Sequence, residues 1–304
     1  MPAPSALPAP VNQLVAGVNA YLNSFATAAS GIEPPSSADF DAWLPKLGLS
    51  YHVNKDITTS VIYQRGFRSG GVGTNIAESY LFTYDEEYTD NFELSYRSVW
   101  LNGSLMFNAN VFLTKWQDQQ VQQQMSTQQY DIVTINAGES EIKGFETEVF
   151  YYPTKKLTIT AGLGYAKSEF VDYQYTNPAT SEIVDLSGNA FADAPDWTAN
   201  VAVEYDFDSG LYLNANANYA GSSPAYLNPA QFAHIDGAPE NDARTLVNLQ
   251  LGYDFGNYQI RTDVRNLLDE DYISGYFNDA KQDDYGQHVI GRSRQISLTL
   301  MAEF

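Results

Sequence analysis

The chain predicts an all-β fold, an antiparallel transmembrane β-barrel of about eleven strands. Three observations carry this prediction. Apolar and polar residues alternate with a period of two in segment after segment, tight turns alternate with long loops, and aromatic residues gather near the segment ends. The clearest segment is Arg292 to Phe304 (RSRQISLTLMAEF), where Ile296, Leu298, Leu300, Ala302 and Phe304 alternate with Gln295, Ser297, Thr299, Met301 and Glu303. Such a strand has one aliphatic face, and the same pattern recurs along the chain.

Composition narrows the class. The 304 residues contain no linker long enough to separate two cores, so one architecture covers most of the length. Aromatics reach 14% with 22 Tyr, yet no run approaches the roughly 20 apolar residues that a membrane helix needs. The absence of Cys excludes disulfides and thiolate metal sites. A net charge of -21 argues against nucleic acid as a partner, because phosphates demand Lys and Arg. The opening MPAPSALPAPVNQL has neither the basic leader nor the apolar segment of a signal peptide, and the expectation is that the natural beginning precedes it.

Residues 1 to 46 are Pro-rich, with Leu14, Val15, Val18, Tyr21, Leu22 and Phe25 at helical spacing. They predict a short amphipathic helix in an external loop. The barrel reading covers 47 to 304. Strands are expected near Leu47 to Asn54, Ile57 to Gly66, Phe92 to Trp100, Ser104 to Gln117, Ile142 to Tyr152 and Leu157 to Tyr165. They continue with Trp197 to Tyr205, Leu211 to Tyr219, Thr245 to Tyr253, Tyr258 to Val264 and the closing segment. In Leu211 to Tyr219 the outward set is Leu211, Leu213, Ala215, Ala217 and Tyr219, against Tyr212, Asn214, Asn216 and Asn218. An inner face of Asn lines a watery lumen, and strand lengths of about 9 to 11 residues match a hydrocarbon slab.

Lys55-Asp56, Asn102-Gly103, Pro153 to Lys156, Asp206 to Gly210 and Gly256-Asn257 have the Gly, Asn, Asp and Pro chemistry of tight turns. Between them lie long loops, Phe67 to Asn91, Asp118 to Glu141, Ser168 to Asp196, Gly221 to Arg244 and Leu267 to Gly291, and the Gln-rich run Gln117 to Gln129 is the only low-complexity piece. Short turns on one side and long loops on the other are how outer-membrane barrels face periplasm and exterior. Tyr51, Tyr63, Trp100, Tyr151, Tyr165, Trp197, Tyr205, Tyr219, Tyr253 and Tyr258 fit interfacial girdles. The competing fold is a soluble β-sandwich, which also alternates but does not place its long loops on one side.

Candidate chemistry is sparse. His52, His234 and His288 carry no ligand spacing and read as ordinary polar residues. No G-x-S-x-G element occurs, so the chain reads as a non-enzyme, and no cofactor or metal is called for. The acidic clusters Asp85, Glu86, Glu87 and Asp90, then Asp269, Glu270 and Asp271, then Asp283 and Asp284, read as solvated loops. Their alternative is a divalent cation bridging to lipopolysaccharide phosphates. Inward Arg261 and Arg265, with Arg292 and Arg294 nearby, are candidates to meet an anionic ligand or the carboxylates of a domain filling the lumen. Tyr226 and Tyr276 are candidate loop aromatics for the same ligand.

Four stretches carry a family likeness: LPKLGLSYHVNKDITTSVIYQRGFRSGG (Leu44 to Gly71), INAGESEIKGFETEVFYYPTKKLTITAGLGY (Ile135 to Tyr165), VRNLLDEDY (Val264 to Tyr272) and GRSRQISLTLMAEF (Gly291 to Phe304). Together they make the chain resemble the C-terminal half of a TonB-dependent outer-membrane receptor. The resemblance implies half of a 22-stranded barrel. The plug, the TonB box and the first half of the barrel lie outside the likeness. It also implies a small-molecule ligand such as a ferric siderophore, coupling to the TonB complex, and outer-membrane lipid and lipopolysaccharide around the wall. Phe304, by the same resemblance, is the signal read by the barrel-assembly machinery. The alternative function is a passive or structural barrel, a small pore or adhesin-like protein that closes by oligomerising.

Overall fold

The computed structural model describes residues 9–29, 39–125, 130–136, 138–176, 182–227, 240–277 and 287–303. An N-terminal helix, α1 (Ala9–Ala29), precedes eleven long strands. In chain order these are β1 (Lys46–His52), β2 (Ile57–Arg68), β3 (Glu87–Trp100), β4 (Leu105–Gln117), β5 (Glu139–Thr154) and β6 (Leu157–Asp172). The wall continues with β7 (Trp197–Asp206), β8 (Leu211–Ala220), β9 (Arg244–Phe255), β10 (Tyr258–Arg265) and β11 (Gln295–Ala302). All eleven pair in sequence order into one antiparallel sheet. Each strand pairs with the one before it, as hairpin connections require.

Register fixes the two faces. One rung runs Leu49, Val61, Leu94, Val111, Phe145, Tyr165 and Trp197 across β1 to β7. A rung of the other parity, three residues along, runs His52, Thr58, Arg97, Asn108, Glu148, Gly162, Asn200 and Asn218 across β1 to β8. A slip of one residue anywhere would exchange these sets. The apolar face is uncovered: Leu49 is 75% exposed, Leu298 64% and Leu300 72%. A water-soluble sandwich buries that face against a second sheet, and no second sheet of wall strands lies over it among the described residues. A wall whose apolar side meets solvent in isolation is a wall built to meet lipid.

Aromatic side chains close this apolar band at both ends. On the long-loop side, Phe145, Tyr165 and Trp197 cluster with centroid separations of 4.7 to 5.9 Å, and Tyr63 lies 5.1 Å from Phe92. On the short-turn side, Tyr205 meets Phe207 at 4.5 Å, while Phe255 stacks between Tyr253 and Tyr258 at 5.6 and 5.7 Å. Amphipathic rings at the two borders of an apolar band match the two membrane interfaces.

The turns follow their chemistry. Asn54 Oδ1 accepts from the Asp56 amide at 2.8 Å, an Asx turn closing β1 onto β2. Gly256 takes φ +69° between β9 and β10, a conformation with no steric cost for Gly. Within the wall, Gly252 lies beneath the Tyr212 ring, which occupies the space that a side chain there would need.

The structure amends the expected loops in one respect. Each of the five long connections carries a two-stranded ribbon: Gly71–Asn75 with Tyr80–Tyr84, Gln120–Gln124 with Ile132–Asn136, and Gln174–Thr176 with Ile183–Asp185. The others are Ser223–Pro224 with Glu240–Asn241 and Ile273–Phe277 with Gln287–Ile290. Part of the Gln-rich run is therefore a strand. The most buried apolar cluster packs Val121, Tyr173 and Leu186 of this loop layer against Phe170 at the outer end of β6. In the same layer, Asp185 accepts bonds from Ser187 and Gln174, which hold its carboxyl below the usual carboxylate range.

The helical spacing near the N-terminus does form a helix, longer than expected at 21 residues. Its Leu14, Val18, Tyr21 and Leu22 are exposed. Among the described residues no helix is long and apolar enough to cross a membrane.

Candidate functional site

The lumenal face is richest in polar groups on β7 to β10, where alternation places amides in register. Asn214 Nδ2 donates to Gln250 Oε1 at 2.8 Å, and Gln250 Nε2 donates to Asp263 Oδ1 at 2.7 Å. Arg261 Nε donates to Asp263 Oδ2 at 3.0 Å, completing a chain across three strands. One step along the strands, Asn216 Oδ1 accepts from both Asn218 and Asn248, at 2.9 and 2.8 Å. An inward amide ladder of this kind satisfies its own donors and still offers acceptors to a second polar surface. It flanks a hollow of ≈ 320 Å³ lined by Glu204, Asn214, Asn216, Asn248, Gln250, Asp263 and Arg265, with the strand backbone behind.

The candidate residues do not converge. Arg265 lines the hollow, and its side chain has no ion pair among the described residues. Arg261 is committed to Asp263 beside it. Arg294 is a staple: its amide donates to Asp269 Oδ1 at 2.7 Å and its guanidinium reaches Leu267 O at 3.3 Å. Arg292 is exposed, and its carbonyl accepts from Asn266. Tyr226 follows the short strand Ser223–Pro224 and Tyr276 lies in Ile273–Phe277, on different loops. Phe304 lies outside the described residues. Glu204, Asn248 and Gln250 were not singled out in the sequence, although strict parity from Asn214 and Asp263 marks them as inward.

The histidines do not gather either. His52 Nδ1 bonds Thr58 Oγ1 at 2.9 Å across β1 and β2, His288 sits in a loop ribbon, and His234 lies outside the described residues. Among the described residues, no three His, Asp or Glu come together in a metal-binding arrangement. The described acidic clusters hold the rim together. Glu87, nearly buried, pairs with Arg68 at 2.8 Å and accepts from the Gln120 amide at 2.6 Å. Asp90 accepts from Tyr63 Oη at 2.7 Å. Asp283 and Asp284 lie outside the described residues.

The VRNLLDEDY stretch owes its form to Asn266, which leaves β10 at φ +49° and is only 5% exposed. Its amide donates to Asn248 Oδ1, its side chain donates to Glu270 O and Arg292 O, and its Oδ1 accepts from the Glu270 amide, at 2.9 to 3.1 Å. Asn is the side chain that both tolerates the left-handed region and supplies these groups. One residue thus ties the lumenal ladder, the last long loop and the approach to β11 together.

A one-layer wall with an apolar exterior, a polar interior and elaborated loops on one side defines a segment of an outer-membrane barrel of the receptor type. The family described as "TonB dependent receptor-like, beta-barrel" matches residues 13–267, and the chain belongs to that family. It is 26% identical over 217 residues to the "Probable TonB-dependent siderophore receptor PiuA" of Acinetobacter baumannii, covering 70% of this chain and 27% of that receptor. The fold is similar to the ferric yersiniabactin uptake receptor FyuA from Yersinia pestis, with TM-score 0.68 and 18% identity over 86% of this chain and 37% of FyuA. It is also similar to the ferripyoverdine receptor of the outer membrane of Pseudomonas aeruginosa, with TM-score 0.59 and 17% identity over 86% of this chain and 33% of that receptor. The chain thus spans about a third of the length of these relatives. Its setting is the bacterial outer membrane.

Proposed function

We propose that this chain is the C-terminal part of the barrel of a receptor that binds a ferric siderophore outside the cell and imports it with energy from the TonB complex. The observation that carries this reading is the open eleven-stranded wall with a polar lumenal ladder, in a chain of this family. The outer edges of β1 and β11 have no strand partner among the described residues. Unpaired backbone groups in hydrocarbon cost several kcal/mol each, so further strands must complete the wall.

Strand parity separates this reading from the self-assembling pore. With eleven antiparallel strands, β1 and β11 run in the same direction. A second copy rotated about the barrel axis would meet each edge in parallel, giving two parallel seams. A complementary sheet with an odd number of strands closes antiparallel throughout, the pairing that bacterial barrels use. The missing N-terminal half and its plug fit that requirement. Arg265 and the carboxylates of the hollow would then face the plug, while Arg292, Tyr226 and Tyr276 are the loop candidates for ligand. Arg261 and Arg294 are left to shape the wall and rim. Residues 1 to 46 enter β1 from the long-loop side and fit an external loop. Phe304 remains the proposed contact for the barrel-assembly machinery. No catalytic step is part of this function.

The test is uptake of radioactive iron by iron-starved cells given ferric hydroxamate, catecholate and carboxylate siderophores in turn. Deleting the gene that encodes this chain is expected to abolish uptake of one of them, and removing TonB to do the same. Unchanged uptake across the panel would overturn the proposal. A steady, TonB-independent conductance of the purified protein in a planar bilayer would instead support the passive pore.

A further inference from the structure

The five connections between wall strands on the long-loop side carry 18 of the 37 acidic residues and three of the 16 basic ones, and the first four carry no Lys or Arg at all. The mouth therefore projects a negative field. Within it lies an apolar patch. The first ribbon (Gly71–Asn75 with Tyr80–Tyr84) and the second (Gln120–Gln124 with Ile132–Asn136) lie side by side. Their tips expose Ile76, Tyr80, Tyr130 and Ile132, with Ile76 at 71% and Tyr130 at 63%.

The patch sits on a fixed base. Asn75 Nδ2 donates to Asp131 Oδ1 at 2.7 Å, both residues buried, and Asn75 Oδ1 accepts from the Glu78 amide at 2.9 Å. At the roots, the Asp85 amide donates to Asn136 Oδ1 at 2.8 Å, and Asn136 Nδ2 donates back to Asp85 O at 2.9 Å. These bonds join the two ribbons at tip and root, so the apolar side chains stand exposed on an ordered support. Lipid does not cover them, because the tips lie past the end of β2 and a further five-residue strand beyond the girdle at Tyr63. Four side chains are too few for a protein partner, whose contact takes roughly 800 Å² on each side. The patch has the size of a small ligand.

Charge selects which ligand. Glu78, in the turn between Ile76 and Tyr80, is exposed and has no ion pair among the described residues. A carboxylate among aromatic ring faces attracts a cation, and a mouth with this field repels an anion. We propose that the joined tips dock a ferric hydroxamate complex bearing a free amine, with its ammonium between Glu78 and the rings of Tyr80 and Tyr130 and its methylene chain along Ile76 and Ile132. The hydroxamate core around ferric iron is neutral, so a protonated amine makes the complex cationic, whereas a ferric tricatecholate is trianionic. The inference rests on the reading of this chain as part of a ferric siderophore receptor and adds the charge class of its ligand.

The test is binding of radioactive iron complexes to energy-depleted cells, with cells lacking the gene as background. The probes are a linear ferric trihydroxamate ending in a free amine, its N-acetylated form, and a ferric tricatecholate. Wild type is expected to bind the amine complex about tenfold tighter than the acetylated one and to leave the tricatecholate unbound. Raising the ionic strength is expected to slow association of the amine complex more than that of the acetylated one. E78Q and Y80L/Y130L are each expected to narrow the preference for the amine complex about threefold. Equal binding of the amine and acetylated complexes by wild type, or tighter binding of the tricatecholate, would overturn the inference and leave the receptor reading standing. An undiminished preference in both variants at the cell surface would overturn the assigned site. Binding of none of the three would overturn the inference as well, and uptake of a ferric carboxylate then decides whether the receptor reading falls with it.

Discussion

Val201→Arg is expected to destabilise the inserted barrel by about 2–4 kcal/mol, whereas Asn200→Arg, one residue away, is expected to change stability by less than about 1 kcal/mol. The two positions have equal depth and the same strand, and they differ only in face. Val201 lies in an outward rung between Ala161 and Ala217, and 43% of it is exposed to what is lipid in the membrane. A guanidinium there must be desolvated or drag water and head groups inward. Asn200 lies between Gly162 and Asn218 on the lumenal face, where a cation is hydrated and finds amide acceptors. Reversible urea unfolding of the barrel in lipid vesicles gives both values. Equal penalties would mean that the wall does not separate lipid from water.

Asn266→Ala is expected to cost about 2–4 kcal/mol, the largest effect among the polar residues of the rim. The substitution removes the side-chain bonds to Glu270 and Arg292 and leaves those backbone groups without partners. It also forces a residue with a Cβ and no compensating bond to hold φ +49°. Asn266→Gly separates the two causes, because it loses the same bonds but relieves the backbone, and it should recover about 1 kcal/mol. Arg294→Ala, which keeps the backbone bond to Asp269 and cuts an exposed pair with Asp269 at 3.6 Å and a 3.3 Å bond to Leu267 O, should cost less than about 1 kcal/mol. Urea midpoints of the variants, with hydrogen exchange at Glu270, provide the check. An Asn266→Ala variant as stable as Arg294→Ala would remove Asn266 from its place as the hub of the rim.

The wall was legible in the sequence because a membrane enforces period two across about 10 residues at a time. All eleven strands fall where alternation placed them, and their faces follow the expected parity. Several strand ends were less legible. Strands β3, β5 and β6 run several residues beyond their apolar stretch, to Glu87, Glu139 and Asp172. Outside the bilayer both faces meet water and alternation fades, while backbone pairing continues. The loop ribbons were hidden for the same reason: Gln120–Gln124 is composed almost wholly of Gln, so its composition masks its pairing with Ile132–Asn136.

The candidate site was legible in kind and not in arrangement. Inward Arg261, Arg265 and Asp263 follow from parity, but which arginine is neutralised depends on rotamers that spacing does not encode. Arg294 reads as a free cation in sequence, yet it belongs to the turn begun by Asn266, 28 positions earlier. That partnership needs the register of β10 with β11 before it can be seen. The apolar face of α1 shows the converse limit, since helical spacing forms the helix but does not supply what would cover Leu14 and Tyr21.

The central claim is that one parity of this sheet meets lipid and the other meets a water-filled or plug-filled lumen. The chain has no Cys, so single cysteines introduced at each residue from Trp197 to Tyr205 give an unambiguous reading in intact outer membranes. Labelling by a membrane-impermeant, water-soluble maleimide is expected to alternate: fast at Thr198, Asn200, Ala202 and Glu204, and slow at Ala199, Val201 and Val203. Uniform labelling along β7, or alternation of the opposite sense, would contradict the account.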